Sequence, residues 1–225
     1  WSMIDDAEKG YDATSITLRA AALGGFVDQE FGARAELVAR THSGVNKPET
    51  KKTPDLISLD ALKKLPANSL GQNLYDMWYT NNFDPEVLDR DDIGLSALPP
   101  ALRYLNTRIL QMHDVWHLVA GYETTALHEV AISAFQLAQF GHNYSAMFLA
   151  SSLTISATRS PEGFALLMHV VCEAWQHGRE TPNLMDIEWE TCWEKSTRIL
   201  REELAIQPFD SVFPADTIEQ AMAAQ

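Results

Sequence analysis

Residues 130 to 158 contain no Asp, Glu, Lys or Arg, although the 225-residue chain carries 31 acidic and 17 basic side chains. Gly141 and Asn143 break this stretch into two halves, and neither alternates apolar with polar residues as a half-buried strand does. Two central helices buried all round satisfy such a pattern. So do two helices lining an apolar groove that takes a long hydrocarbon ligand. No run of about 18 uninterrupted apolar residues occurs, which argues against a membrane-spanning helix.

The flanking sequence reads the same way. Residues 13–40 carry Ile16, Leu23, Phe26, Phe31 and Leu37 at helical spacing, bent at Gly24-Gly25. From 41 to 64 periodicity lapses around Pro48 and Pro54. Five of seven lysines gather there (Lys47, Lys51, Lys52, Lys63, Lys64), as a solvated loop or a docking patch for anionic headgroups or an acidic partner. Leu74, Met77 and Trp78 mark a helix over Leu70–Asn81, and Asp84-Pro85 opens a short one through Leu88. Pro99-Pro100 starts a helix that turns Leu102, Leu105, Ile109 and Met112 inward. Thr124 or Thr125 caps another over Ala126–Phe140, ended by Gly141.

Further helices are expected from Asn143, over 161–177 with Gly178 closing it, and over 185–205. The last carries Trp189, Trp193, Leu200 and Leu204 on one side, with Glu194–Arg198 and Arg198–Glu202 as i, i+4 pairs on the other. No internal repeat or hairpin pattern appears. The expected fold is all-α, a single-domain multi-helix bundle over residues 1–225 with an apolar groove between its central helices.

A formal charge of -14 repels phosphate and argues against a general nucleic-acid binder. Cys172 and Cys192 form neither a disulfide framework nor a CxxC pair, so a reducing compartment is the simpler reading. The first residues, WSMIDDAEKG, are acidic and lack the basic and apolar regions of a signal peptide.

The chemistry concentrates in MHDVWHLVAGYETTALHE, residues 112–129. His113 and His117 stand four residues apart, so they project from one helical face and can reach one ion. Asp114 follows the first histidine, as the general base does in the zinc-protease pattern HExxH. In one unbroken helix Glu129 would lie roughly 18 Å beyond His117. The break at Gly121 and a new helix at Ala126 instead let a first-turn Glu129 fold back. Two nitrogens and up to two carboxylates then leave room for water or substrate, as in a catalytic zinc-type site.

Other polar groups carry less. His169, Glu173 and His177 share a helical face and form a weaker candidate for a second site, and His128 points about 100° from Glu129, toward the rim. Arg103 and Arg108 are available for a substrate carboxylate or for surface ion pairs.

His-Asp-x-x-His followed after eleven residues by Glu resembles the hallmark of the coenzyme Q (ubiquinone) biosynthesis protein 4 family. Similar segments are LPANSLGQNLYDMWYTNNFDP from Leu65, RYLNTRIL before the motif, AWQHGRE from Ala174 and WEKSTRILREELAI from Trp193, so the resemblance covers roughly residues 30–207. His128 stands where the family pattern has glycine. The resemblance implies an all-helical protein whose His113, Asp114, His117 and Glu129 bind a divalent metal, taken as Zn2+, with Fe or Co also compatible. It implies C1 decarboxylation of a polyprenylated 4-hydroxybenzoate-type intermediate, with the four motif residues as the catalytic set and Asp114 as ligand, orienter or proton source. A non-catalytic lipid-binding scaffold with a structural metal is the alternative. Expected partners are a prenylated aromatic or isoprenoid lipid and other ubiquinone biosynthesis proteins, with a homodimer left open. Peripheral membrane contact is expected at the cytoplasmic face of a bacterial inner membrane, or at the matrix side of the mitochondrial one.

Overall fold

The computed structural model describes residues 30–41, 57–83 and 95–223. Nine α-helices lie within them: α1 (Phe31–Ala39), α2 (Leu59–Leu62), α3 (Leu70–Asn81), α4 (Pro100–Ala120), α5 (Ala126–Phe140), α6 (Asn143–Arg159), α7 (Pro161–Glu180), α8 (Thr197–Glu203) and α9 (Thr217–Ala223). The described residues contain no strand, only an isolated antiparallel bridge between Ser69 and Ser196. The all-α multi-helix expectation holds. The helical piece before residue 30, Lys47, Lys51, Lys52 and the short helix at 84–88 lie outside the described residues, while α2 falls inside the stretch read as loop.

The helix ends follow their sequence signals. Ser69 accepts the Gln72 N–H at 3.2 Å and Thr125 the His128 N–H at 3.4 Å, caps worth about 1 kcal/mol each. Gly121 and Gly141 end α4 and α5 at φ 82° and 64°, where a side chain would be strained. The final carbonyls of α4 are also met by a cation. Arg201 donates to Val119 O at 2.9 Å and Leu118 O at 2.6 Å, satisfying acceptors that the helix leaves open.

The charge-free stretch divides between two environments. All of α5 except Ala126, Glu129 and Leu137 is buried, whereas α6 buries only Ser145, Phe148 and Leu149. So α5 is the central core helix, and α6 lies half-exposed along it. The most extensive helix packing joins α5 to α7. It depends on Gly178, where an added Cβ would lie 2.7 Å from Phe135 O and 2.9 Å from Ala138 Cβ. Gly178 therefore does not close α7 as expected. The helix runs on to Glu180, because the glycine serves close approach rather than a turn.

Gln139 of α5 completes that junction. Its amide donates to Gly178 O at 2.9 Å and Thr181 O at 2.8 Å, and its oxygen accepts from Leu184 N at 3.1 Å. A single cluster of buried apolar side chains, including Leu74, Trp78, Met112, Trp116, Phe135, Phe140 and Trp189, ties these helices together. Each such side chain contributes roughly 1.5–3 kcal/mol on burial.

The long helix expected over 185–205 is corrected. Two 3-10 turns (Leu184–Asp186 and Trp189–Thr191) and the short α8 replace it. Tertiary bonds outcompete the helix there. Arg108, buried rather than on the surface, pairs with Glu190 and donates to Ile187 O at 2.7 Å, while Leu70 N and Gly71 N donate to Lys195 O and Trp193 O. Arg198 and Glu202 pair at 2.5 Å as expected, but Glu194 precedes α8 and cannot form its i, i+4 partner pair there.

Candidate metal centre

His113 and His117 project from the last two turns of α4, and Glu129 from the first turn of α5. The connection reverses tightly because Gly121 takes the left-handed conformation and Thr125 caps α5. Residues 207–209 hold the turn from outside. Phe209 N donates to Ala120 O at 2.7 Å, and its ring stacks on Tyr122 with centroids 4.5 Å apart.

The three side chains meet. Nε2 of His117 lies 3.0 Å from Nε2 of His113, which is 3.3 Å from Glu129 Oε2, and His117 Nε2 is 3.4 Å from Glu129 Oε1. A tetrahedral ion with bonds of about 2.0–2.1 Å has ligand-to-ligand edges of about 3.3–3.4 Å, so this triangle fits such an ion. Among the described residues this is the one group of three or more His, Cys, Asp or Glu so gathered. His117 Nδ1 faces Tyr122 O at 3.2 Å, a carbonyl that takes its N–H and leaves the Nε2 lone pair turned toward the other two side chains. The side chains of His117, His113 and Glu129 are 1%, 28% and 43% exposed, so the group is closed behind and open in front.

Electrostatics bind the triangle even without a cation. Burial would raise the Glu129 pKa, but hydrogen bonds and charge from His113 and His117 outweigh it and hold the carboxyl well below its ordinary range. Burial likewise would lower His113, yet the Glu129 carboxylate, with Asp114 nearby, leaves it raised.

Asp114 stands apart from these three. One residue along the helix turns it toward α3, where its Oδ2 accepts the Trp78 indole N–H at 2.5 Å. The weaker second-site candidate does not assemble: His169 pairs with Glu173 at 2.9 Å, while His177 accepts from Tyr122 Oη at 2.8 Å and donates to Gln207 O at 2.8 Å. His128 is buried, not at the rim, and its Nδ1 accepts the Glu123 N–H at 2.9 Å. Arg103 donates to Leu98 O at 3.2 Å, and Arg108 is committed to Glu190 and Ile187.

Sequence reasoning missed Trp78, Tyr122 and Gln136 as supports of the site. Gln136 had a readable signal: it lies seven residues beyond Glu129, on the same face, in a segment otherwise nearly apolar.

The comparisons agree with the motif. The 31%-identical "Ubiquinone biosynthesis protein COQ4 homolog, mitochondrial" of Drosophila ananassae matches over 69% of this chain and 57% of its own length. The corresponding Zygosaccharomyces rouxii protein is 29% identical over 69% of this chain and 46% of itself, so the chain spans about half the length of these curated relatives. A Nostoc punctiforme crystal structure, provisionally described as a ubiquinone biosynthesis protein, aligns with TM-score 0.62 and 25% identity over 85% of this chain and 93% of that one. The family profile described as "Coenzyme Q (ubiquinone) biosynthesis protein Coq4" matches residues 46–210, which contain His113, His117 and Glu129, and the chain belongs to that family.

Proposed function

We propose that this chain acts in ubiquinone biosynthesis as a metal-dependent carboxy-lyase on a polyprenylated 4-hydroxybenzoate-type acid. The observation that carries this reading is the convergence of His113, His117 and Glu129 on one point with an exposed side. Three protein ligands leave a tetrahedral ion one position for substrate, the pattern of catalytic sites, whereas a structural site takes four. That favours an enzyme over a scaffold with a structural metal.

His113, His117 and Glu129 would hold the ion. When bound, a divalent cation, zinc by this ligand set with iron or cobalt also compatible, supplies positive charge that orients the substrate carboxylate and steadies electron density left on the ring. The C–C bond to the carboxyl breaks, carbon dioxide leaves with the oxygens, and the bonding pair stays at the ring carbon. The proton that this carbon takes comes from a water at the open side of the triangle, or from Asp114 in its protonated form, held in orientation by Trp78. The prenyl tail lies along the half-exposed α6, which carries no charge before Arg159, and the half-buried Met147 and Leu153 give it apolar contact.

No described helix is long and apolar enough to cross a membrane. We place the chain peripherally at the membrane that holds the lipid, beside other enzymes of the same synthesis.

Carbon dioxide release from a carboxyl-labelled prenylated 4-hydroxybenzoate tests the reading. Wild-type protein should release label and His117→Ala should fall by at least a hundredfold. Full activity in His117→Ala overturns the assignment.

A further inference from the structure

A file of buried polar side chains leads away from the candidate centre. His113 Nδ1, on the edge of the ring opposite Glu129, lies 2.7 Å from the Gln136 amide, whose other end is 3.1 Å from Ser145 Oγ. Ser145 Oγ is 2.8 Å from His142 Nδ1, and His142 Nε2 is 3.1 Å from Asn106 Oδ1. Gln136, Ser145 and His142 are all buried, so protein atoms must satisfy one another.

The far end fixes the direction of every hydrogen. Asn106 Nδ2 donates to Leu102 O at 2.8 Å, a carbonyl that only accepts, so Oδ1 is the end facing His142. Oδ1 also only accepts, and His142 Nε2 must therefore carry hydrogen. Burial, together with the charge of His113, holds the His142 pKa down at about 3, so the ring is neutral and its Nδ1 bears a lone pair. The single Ser145 hydroxyl hydrogen goes to that lone pair. Ser145 Oγ is left to accept from the Gln136 NH2, which turns Gln136 Oε1 toward His113. His113 Nδ1 then donates, and its Nε2 faces Glu129 and His117.

In the structure Gln136 Nε2 is the end toward His113 and Oε1 the end toward Ser145. The two ends are alike in shape and are assigned by the hydrogens they share. With that orientation Ser145 donates to Gln136 and His142 Nδ1 donates to Ser145, which sets the His142 Nε2 lone pair against Asn106 Oδ1. Half a turn of the amide removes the conflict.

We propose that Asn106, His142, Ser145 and Gln136 form a positioning chain that locks His113 with its hydrogen on Nδ1, presenting Nε2 to a divalent cation. This rests on the metal reading above. The Leu102 carbonyl sets the tautomer of a ligand more than two helical turns away, and the lock is in place before the cation arrives.

Two measurements test it. In 15N-histidine NMR spectra of the metal-free wild-type protein, His142 should carry its only hydrogen on Nε2 and His113 should carry one on Nδ1. In competition titrations with Co2+, Gln136→Leu should bind about 10–100-fold more weakly than wild type. Gln136→Glu, which can still accept from His113, should recover at least tenfold of that loss. A His142 hydrogen on Nδ1, or equal losses in the two variants, overturns the proposal. If wild-type protein binds no Co2+, the metal reading fails by itself, and the metal-free spectrum still decides the direction of the chain.

Discussion

The carboxylate of Asp114 takes its hydrogen bond from the indole of Trp78, at 2.5 Å, and not from the histidines beside it. A motif that reads as four equivalent donors therefore separates into a triangle and a neighbour. Trp78→Phe removes the donor and leaves a half-buried carboxylate without that partner, which should cost about 1–3 kcal/mol in urea unfolding. Metal stoichiometry should not change, because the triangle does not include this bond. Loss of the metal in Trp78→Phe would place Asp114 among the ligands after all.

Metal affinity should depend on pH through His113. Burial lowers its pKa, but Glu129 raises it more, so in metal-free protein the ring holds its proton above its ordinary 6.5. That proton competes with the cation for Nε2. Co2+ affinity should weaken, by up to about tenfold per unit, as pH falls through the folded-state value. The metal-free protein shows the opposite sign. Its stabilisation from His113 is complete below 6.5 and is lost as pH rises through that raised value. Calorimetric titrations at pH 6, 7 and 8 check both, and affinity independent of pH would remove His113 from the ligand set.

His142 should set part of the acid sensitivity. Its folded pKa of about 3 lies below the ordinary 6.5, so its contribution is complete above 6.5 and is lost as pH falls toward 3. By pH 5 the loss is about 2 kcal/mol. Urea unfolding of wild type and His142→Gln at pH 5 and 7 should show the variant losing less by about this amount. Parallel losses would contradict a neutral buried ring.

Gly121→Ala should injure the site at its turn. At φ 82° a Cβ is strained, and it would meet Pro208 Cβ at 2.8 Å and Phe209 N at 3.0 Å. A destabilisation of about 1–3 kcal/mol is expected, together with weaker metal binding as Glu129 shifts from α4. Unchanged unfolding and unchanged affinity would show that the turn does not position Glu129.

These dependencies explain what the sequence disclosed. The i, i+4 histidines, the glycine break and the threonine cap are local signals, and they placed His113, His117 and Glu129 together. The direction of Asp114 is not local, because Trp78 lies 36 residues upstream and reaches it only through packing of α3 on α4. Residues 185–205 carried helical spacing, yet Arg108 and the start of α3 claim their polar groups. Gly178 carried a stop signal and became a packing position, since an α5–α7 contact requires the missing Cβ. Local propensity yielded at each of these places to a partner distant in the chain.

X-ray absorption on zinc-loaded protein, with elemental analysis before and after loading, tests the centre most directly. One ion per chain should appear, with two imidazole nitrogens and one carboxylate oxygen at about 2.0–2.2 Å, and it should be lost in both His117→Ala and Glu129→Ala. An ion that survives both substitutions, or a wild-type protein that takes up no ion, would contradict the account.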